Sequence, residues 1–234
     1  MKRNTPIKNI FSQKKYLKGN NMKITIIYDN TSFTRDLKSD WGFAALVEFK
    51  EHKILFDTGS NGEILLNNMT KLKIDPDEIC EIFLSHNHYD HTGGLSAFLN
   101  QNNDVIVYAP PSLRGIKNVK KLEYVNQPKE LSPGIFSTGE LENIEQSLAI
   151  QTEKGLVVIV GCSHPGVTTI LKVANNFGTL QALIGGLHGF QEYDVFEPLE
   201  LVCPTHCTQH IKEIKDRYPD KYIQGGAGKI INID

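Results

Sequence analysis

No apolar run in this sequence approaches the ~20 residues needed to cross a bilayer, so no membrane role is expected. Nor is there a block of like charge: 25 basic and 27 acidic residues are spread along 234 positions, for a formal net charge of -2. The basic stripe that tracks phosphates is thus missing, and nucleic acid is not expected as a partner. Cysteine is scarce, with Cys80, Cys162, Cys203 and Cys207 the whole complement. Four thiols in so long a chain make no disulfide framework and fit a reduced, cytoplasmic setting. Cys203 and Cys207 form one CxxxC pair where a structural zinc knuckle draws on two, and Cys80, at the end of an expected helix, reads as a small buried apolar residue. The first 21 residues, MKRNTPIKNIFSQKKYLKGNN, have neither the apolar stretch nor the cleavage site of a secretory signal. A flexible basic tail over 1–21, followed by a domain over 22–234, is the expected organisation.

Short apolar segments alternate with polar turns and amphipathic stretches from Met22 onward. Strands are expected over 24–28, 44–49 and 53–56, the last two joined as a hairpin through Glu51-His52, then over 82–84 and 105–108. Ser60-Asn61-Gly62-Glu63 has capping-box spacing and introduces a helix, ILLNNMTKL; another follows Thr92. An irregular region rich in Pro, Lys and Gly runs to about Glu140. Beyond it, strands over 147–151, 156–160, 180–184, 199–202 and 229–233 alternate with helices from Pro165 and over 208–218. Strands such as LVVIV, apolar on both faces, call for cover on both sides and hence for sheets sandwiched between helices.

The chemistry concentrates in SHNHYDHTGG, where His86, His88, Asp90 and His91 fall within six residues at the end of an apolar strand. His86 and His88, two apart on extended chain, can point to one side and share a metal; a turn then aims Asp90 and His91 at a neighbouring point. Two ions roughly 3.5–4 Å apart would make a two-metal hydrolytic arrangement. His164, in GCSHPG, and His206, in PTHCT, also follow apolar strands, where α/β folds gather function.

With FDTG at 56–59, HNHYDH at 86–91 and two later histidines in order, the sequence resembles the metallo-β-lactamase fold superfamily over about 22–234. The resemblance implies an α/β (α+β) fold, a four-layer αββα sandwich with metals at one edge of the sheets. It implies His86, His88 and His164 as ligands of a first metal, Asp90, His91 and His206 as ligands of a second, and Asp57 as the acid that orients them. Zinc, two ions, suits this mixed His/Asp set; a single ion, iron or manganese are the alternatives. The HxExD form of the superfamily's di-iron members is absent, because His88 stands at the glutamate position.

One position departs from the superfamily pattern. Where most two-metal members place a bridging aspartate, LIGGLHG offers His188, whose imidazole nitrogens point apart and bring no negative charge. His188 is read as a substrate-binding or acid group, with terminal ligation and a structural role as alternatives; Asp194 lies too far along to serve as the bridge. GCSHPG, GGLHG and PTHCT, with Asp29-Asn30 and Asn87-His88-Tyr89, resemble the dihydropterin ribofuranosyl-aminobenzene phosphate synthase branch. Only 17 residues separate His188 from His206, too few for the helix and strand expected there in that branch.

The expected function is a metal-dependent hydrolase acting on an ester, lactone or phosphoester of a small molecule, with Asp90 and His188 as catalytic groups. A pterin-pyrophosphate condensing synthase is the alternative, and a metal-containing redox sensor using Cys162, Cys203 and Cys207 is a reading from another class. Lys117, Lys120 and Arg114, with Lys121 and Tyr124 nearby, are candidate substrate contacts, set against the simpler reading of a solvated basic face.

Overall fold

The computed structural model describes residues 21–234, so the expected tail lies, Asn21 apart, outside the described residues. Two sheets face each other. The first is built from β1 (Met22–Tyr28), β2 (Ala44–Phe49), β3 (His52–Phe56), β4 (Glu81–Phe83), β5 (Ile106–Ala109), β6 (Lys121–Tyr124) and β13 (Ile230–Ile233), in the order β13-β1-β2-β3-β4-β5-β6. The second is built from β7 (Lys129–Ser132), β8 (Ile135–Ser137), β9 (Leu148–Gln151), β10 (Leu156–Val160), β11 (Leu180–Gly186) and β12 (Leu201–Thr205), in the order β12-β11-β10-β9-β8-β7.

Alternation along the strands produces the layers. Val157 and Ile159 of β10 point into the space between the sheets, where they meet Ile24, Ile26, Phe56 and Phe83. Leu156, Val158 and Val160 point the other way, onto helix α4 (Val167–Ala174) and helix α5 (Ile211–Arg217). On the outer face of the first sheet, Leu46, Leu55 and Ile82 pack against helix α1 (Gly62–Lys71) and helix α3 (Leu95–Gln101), the latter preceded by the one-turn helix α2 (Tyr89–Thr92). Each fully buried Val, Ile or Phe contributes about 1.5–3 kcal/mol. The result is the αββα sandwich, and none of its described helices is long and apolar enough to cross a membrane.

Several local expectations give way. The β2–β3 turn is Lys50-Glu51, since Phe49 pairs with His52. Asn61, not Ser60, caps α1 by accepting from the Glu63 and Ile64 amides, while the Ser60 hydroxyl pairs with Tyr28. The region drawn as irregular holds β6, β7 and β8; β6 and β7 are sheet edges, whose lysines and glutamates conceal any apolar alternation. α5 starts only at Ile211, because the Thr208 hydroxyl bonds to the Thr205 carbonyl and accepts the Leu187 amide. Cys80 is exposed, beyond a 3-10 turn over Pro76–Glu78, while its neighbour Ile79 is buried. Cys203 is packed between the sheets, apart from Cys162 and Cys207, so CxxxC is not a working pair.

For function, the consequence lies in strand direction. β3, β4, β5 and β6 run parallel, as do β10, β11 and β12. Their C-terminal ends therefore share one edge of the sandwich, and each motif loop leaves from it.

Candidate metal centre

Three ends of the first sheet supply half of the cluster. After β3, Asp57 accepts from the Ser85 amide at 2.7 Å, from the Ser85 hydroxyl at 2.6 Å and from His91 Nδ1 at 2.7 Å. After β4 come Ser85, His86 and His88, and then α2 with Asp90 and His91. The chain is crowded here: a Cβ on Gly94 would sit 2.2 Å from the Thr58 carbonyl oxygen, so only glycine lets FDTG lie against α2 and α3. After β1, Asp29 accepts the His206 amide at 2.9 Å, and Asn30 spans the same residue by donating to its carbonyl at 2.8 Å.

The second sheet supplies the rest. Gly161 to His164 follow β10, His188 follows β11 and His206 follows β12. Glu145, fully buried, gathers the first of these loops. One carboxylate oxygen accepts the amides of Gly161, Cys162 and Ser163 at 3.1, 3.0 and 3.0 Å, and the other accepts the His164 amide at 2.9 Å. Burial raises the pKa of Glu145, with those amides and His91 opposing. A Cβ on Gly161 would meet the Ser85 hydroxyl at 2.2 Å, so the two sheets' loops touch where glycine permits it.

Hydrogen bonds fix three of the imidazole tautomers. His91 Nδ1 must donate to the Asp57 carboxylate, which in the neutral ring leaves Nε2 an acceptor. Asn30 Oδ1 already accepts the Gly42 amide, so His206 Nδ1 donates to that oxygen at 2.9 Å and its Nε2 is also an acceptor. The Ser85 hydroxyl gives its proton to Asp57 and accepts from His86 Nδ1 at 2.9 Å, leaving His86 Nε2 buried without a hydrogen-bond partner. His91 Nε2 and His206 Nε2 nevertheless face each other at 3.2 Å, and Asp90 Oδ2 lies 3.2 Å from His206 Nε2. His88 Nδ1 and His164 Nε2 are likewise 3.2 Å apart. The His88–His164 contact is a hydrogen bond whose direction depends on the tautomer, whereas His91 Nε2, His206 Nε2 and Asp90 Oδ2 are acceptors drawn together, which a proton or a metal cation among them makes favourable. Neighbouring ligand atoms around a tetrahedral zinc ion, with bonds of about 2.0–2.1 Å, are separated by roughly 3.4 Å, close to these distances.

Two groups of donors thus fit a metal: His86, His88 and His164, and Asp90, His91 and His206, the atoms of each lying within 4.8 Å of one another. Burial and the neighbouring imidazoles hold His86 well below the usual histidine range and bring His164 down to about 4, so both favour the neutral, ligating form. Burial also lowers His206, against the opposing pull of Asp90. Burial pushes Asp90 up, but His206 and His91 outweigh it and hold the carboxyl low. For His91, burial is outweighed by Asp57, and its pKa rises.

His188, at φ 48°, turns its ring to 4.6 Å from that of His164, and its Nε2 is buried without a hydrogen-bond partner. Asp194 is on the surface, paired with Arg217, and does not enter the cluster. Arg114, Lys117 and Lys120 line a groove of about 880 Å³ that meets the motif at Asn87 and Thr92 but contains none of the histidines. Arg114 lies over Tyr124, and Lys120 pairs with Asp104 at 3.0 Å. Between His188 and His206 the expected strand does form, as β12, while the helix is reduced to a 3-10 turn over Tyr193–Phe196.

Sequence reasoning passed over Glu145, one of several acids in GELENIEQS and without any local signal of its role. It also passed over Trp41, the single tryptophan, whose indole N–H donates to Asp90 Oδ2 at 2.8 Å and whose ring lies 5.1 Å from that of His206.

Paired sheets with helices outside, and a cluster of carboxylate-backed imidazoles at one edge, define the class. The family model of the metallo-beta-lactamase superfamily matches residues 42–171, more than half of the 234-residue chain, and the chain belongs to that superfamily. It is an enzyme of that superfamily. Among relatives, it is 28% identical to the 7,8-dihydropterin-6-methyl-4-(beta-D-ribofuranosyl)-aminobenzene-5'-phosphate synthase of Methanocaldococcus jannaschii, over 92% of this chain and 98% of that one. That alignment spans 288 positions against 234 residues here, so the relative carries segments this chain lacks. Among solved structures, a metal-dependent hydrolase of the beta-lactamase superfamily matches with a TM-score of 0.73 and 24% identity, over 91% of this chain and 99% of that one. Zinc-bound PqqB from Methylobacterium extorquens matches with a TM-score of 0.61 and 12% identity, over 91% and 99%. Both likenesses establish the fold.

Proposed function

We propose that this enzyme is a two-metal hydrolase of a small ester, lactone or phosphoester, with zinc as the favoured ion. The observation that carries the reading is the convergence of His91 Nε2, His206 Nε2 and Asp90 Oδ2 within 3.2–3.8 Å of one another, an arrangement that a bound cation makes favourable. When bound, two divalent ions supply a nucleophilic water at neutral pH and an electrophile for a carbonyl or phosphoryl oxygen. His86, His88 and His164 would hold one ion and Asp90, His91 and His206 the other. Asp57 fixes His91 directly and His86 through Ser85, so one carboxylate sets two tautomers across both half-sites.

Asp90 orients the attacking water by accepting its hydrogen, and the Trp41 indole N–H holds that carboxylate in place. His188, whose ring lies 4.6 Å from that of His164 and whose Nε2 has no hydrogen-bond partner in the protein, donates a hydrogen bond to the leaving group. The basic groove beyond Asn87 receives a distal part of the substrate through Arg114, Lys117 or Lys120. The buried free thiols Cys162, Cys203 and Cys207 fit a reduced, cytoplasmic setting.

One observation favours a second reading. The relationship to the methanococcal synthase extends over nearly the whole of both chains. In that reading the same residues would hold ions that offset the charge of a departing pyrophosphate, as an aromatic carbon or amine of the acceptor displaces it from the pterin. The segments this chain lacks and the short path from His188 to His206 weigh toward a different or smaller substrate. Zinc-reconstituted protein assayed on lactones, phosphodiesters and a pterin pyrophosphate, with and without an aminobenzene acceptor, separates the two. Metal-dependent cleavage without an acceptor supports hydrolysis; product formed only with the acceptor supports condensation; turnover that chelation leaves unchanged contradicts both.

A further inference from the structure

Each half-site has its own donors, and a sulfur outside both triads lies close to members of each. Cys162 Sγ lies 3.2 Å from His91 Nε2, in the second half-site. It is also within 4.8 Å of the donor atoms of His86 and His164 in the first, of His206 in the second, and of His188. His86 and His91 also fall into one group with Cys162 across the half-sites, but each of them already belongs to one of the two triads, whereas Cys162 belongs to neither. Its position is built rather than incidental: the Cys162 amide is held by Glu145, its side chain is buried, and a ring nitrogen of His86 and one of His188 each lie within 4.8 Å of its sulfur.

We propose that the Cys162 thiolate is the ligand shared by the two metal positions, replacing the bridging carboxylate that this chain lacks. The inference rests on the two-metal reading above. A single sulfur can bind two ions at once, with bonds of about 2.3 Å each, whereas the imidazole of His188 cannot, because its nitrogens diverge. Coordination ionises the thiol and releases its proton to solvent, so the centre regains the second negative charge that an aspartate would have brought. Cys207 does not compete for the role. Its sulfur is grouped only with Cys162 and His206, on one side of the cluster.

The test is cobalt and zinc loading of the wild type, Cys162→Ser and Cys207→Ser, read by metal stoichiometry, sulfur-to-cobalt charge-transfer absorption and zinc-edge X-ray absorption. The wild type is expected to hold two ions per chain, to show the charge-transfer band and to have sulfur near 2.3 Å in the average shell. Cys162→Ser should lose band and sulfur and bind one ion at least about 100-fold more weakly, beyond the 10–100-fold cost of losing an outer-shell partner. Cys207→Ser should keep both ions and the band. Two ions in the wild type with only nitrogen and oxygen around them would overturn the bridge, reducing Cys162 to a thiol that donates to His91, and would leave the metal reading intact. A band that vanishes only in Cys207→Ser would overturn it too. A wild type that binds no metal would end both proposals. The wild-type spectra decide the matter even if Cys162→Ser fails to fold.

Discussion

Replacing Glu145 by glutamine tests whether one buried carboxylate organises the metal centre. Glu145 accepts four backbone amides, three on one oxygen and one on the other. Hydrogen bonds to a charged acceptor contribute about 1.5–3 kcal/mol each, against roughly 1 kcal/mol for neutral ones. In Glu145→Gln three bonds weaken to the neutral value. The fourth becomes an N–H facing the His164 N–H, a buried donor left unmet at a cost of about 1–3 kcal/mol. Neutralisation recovers part of this, since burial already raises the pKa of the carboxyl. A net destabilisation of about 2–4 kcal/mol follows, read by urea unfolding of the metal-free protein. Glu145→Ala, which abandons all four amides, should cost more. Because the amides belong to the loop carrying Cys162 and His164, zinc affinity measured against a competing chelator should also fall by about 10–100-fold. Stability within about 0.5 kcal/mol of wild type, together with unchanged zinc affinity, would refute the assignment.

Asp57→Asn removes the acceptor that fixes the His91 tautomer, and zinc affinity should fall by about 10–100-fold, as measured by competition with a chromogenic chelator. Gly94→Ala drives a methyl against the Thr58 carbonyl and should destabilise by about 1–3 kcal/mol or more in thermal or urea unfolding, whereas a surface substitution such as Lys154→Ala should stay within about 0.5 kcal/mol. His188→Ala should retain both ions on elemental analysis while turnover falls by about 10²–10⁴-fold; loss of an ion would make it a ligand instead. Restoring zinc to chelated protein at about 1,000 times the dissociation constant should stabilise it by about 4 kcal/mol, a rise in Tm of roughly 8–16 °C for a domain of this size.

The sandwich and four ligand candidates are legible because their signals are local. LVVIV has to be covered on both faces, and HNHYDH compresses four donors into one strand end. Expectations failed where the deciding partner is distant in sequence. Nothing near Asn61 shows that Ser60 is engaged by Tyr28, and nothing near Glu145 shows that its amide partners lie at 161–164. β6 and β7 were hidden because edge strands carry the charges that also mark loops. Asp29-Asn30 was visible only as a likeness to one branch; its physical purpose, to grip His206 from both sides, needs β1 and β12 to end at the same edge. The missing bridge looked like a defect at His188, and the structure moves the question to Cys162, on a different strand end.

The most direct test of the central claim is metal analysis of the purified protein combined with anomalous diffraction at the metal edge. Two ions per chain are expected, one among His86, His88 and His164 and one among Asp90, His91 and His206. A single ion, or density that leaves either group of donors unengaged, would contradict it.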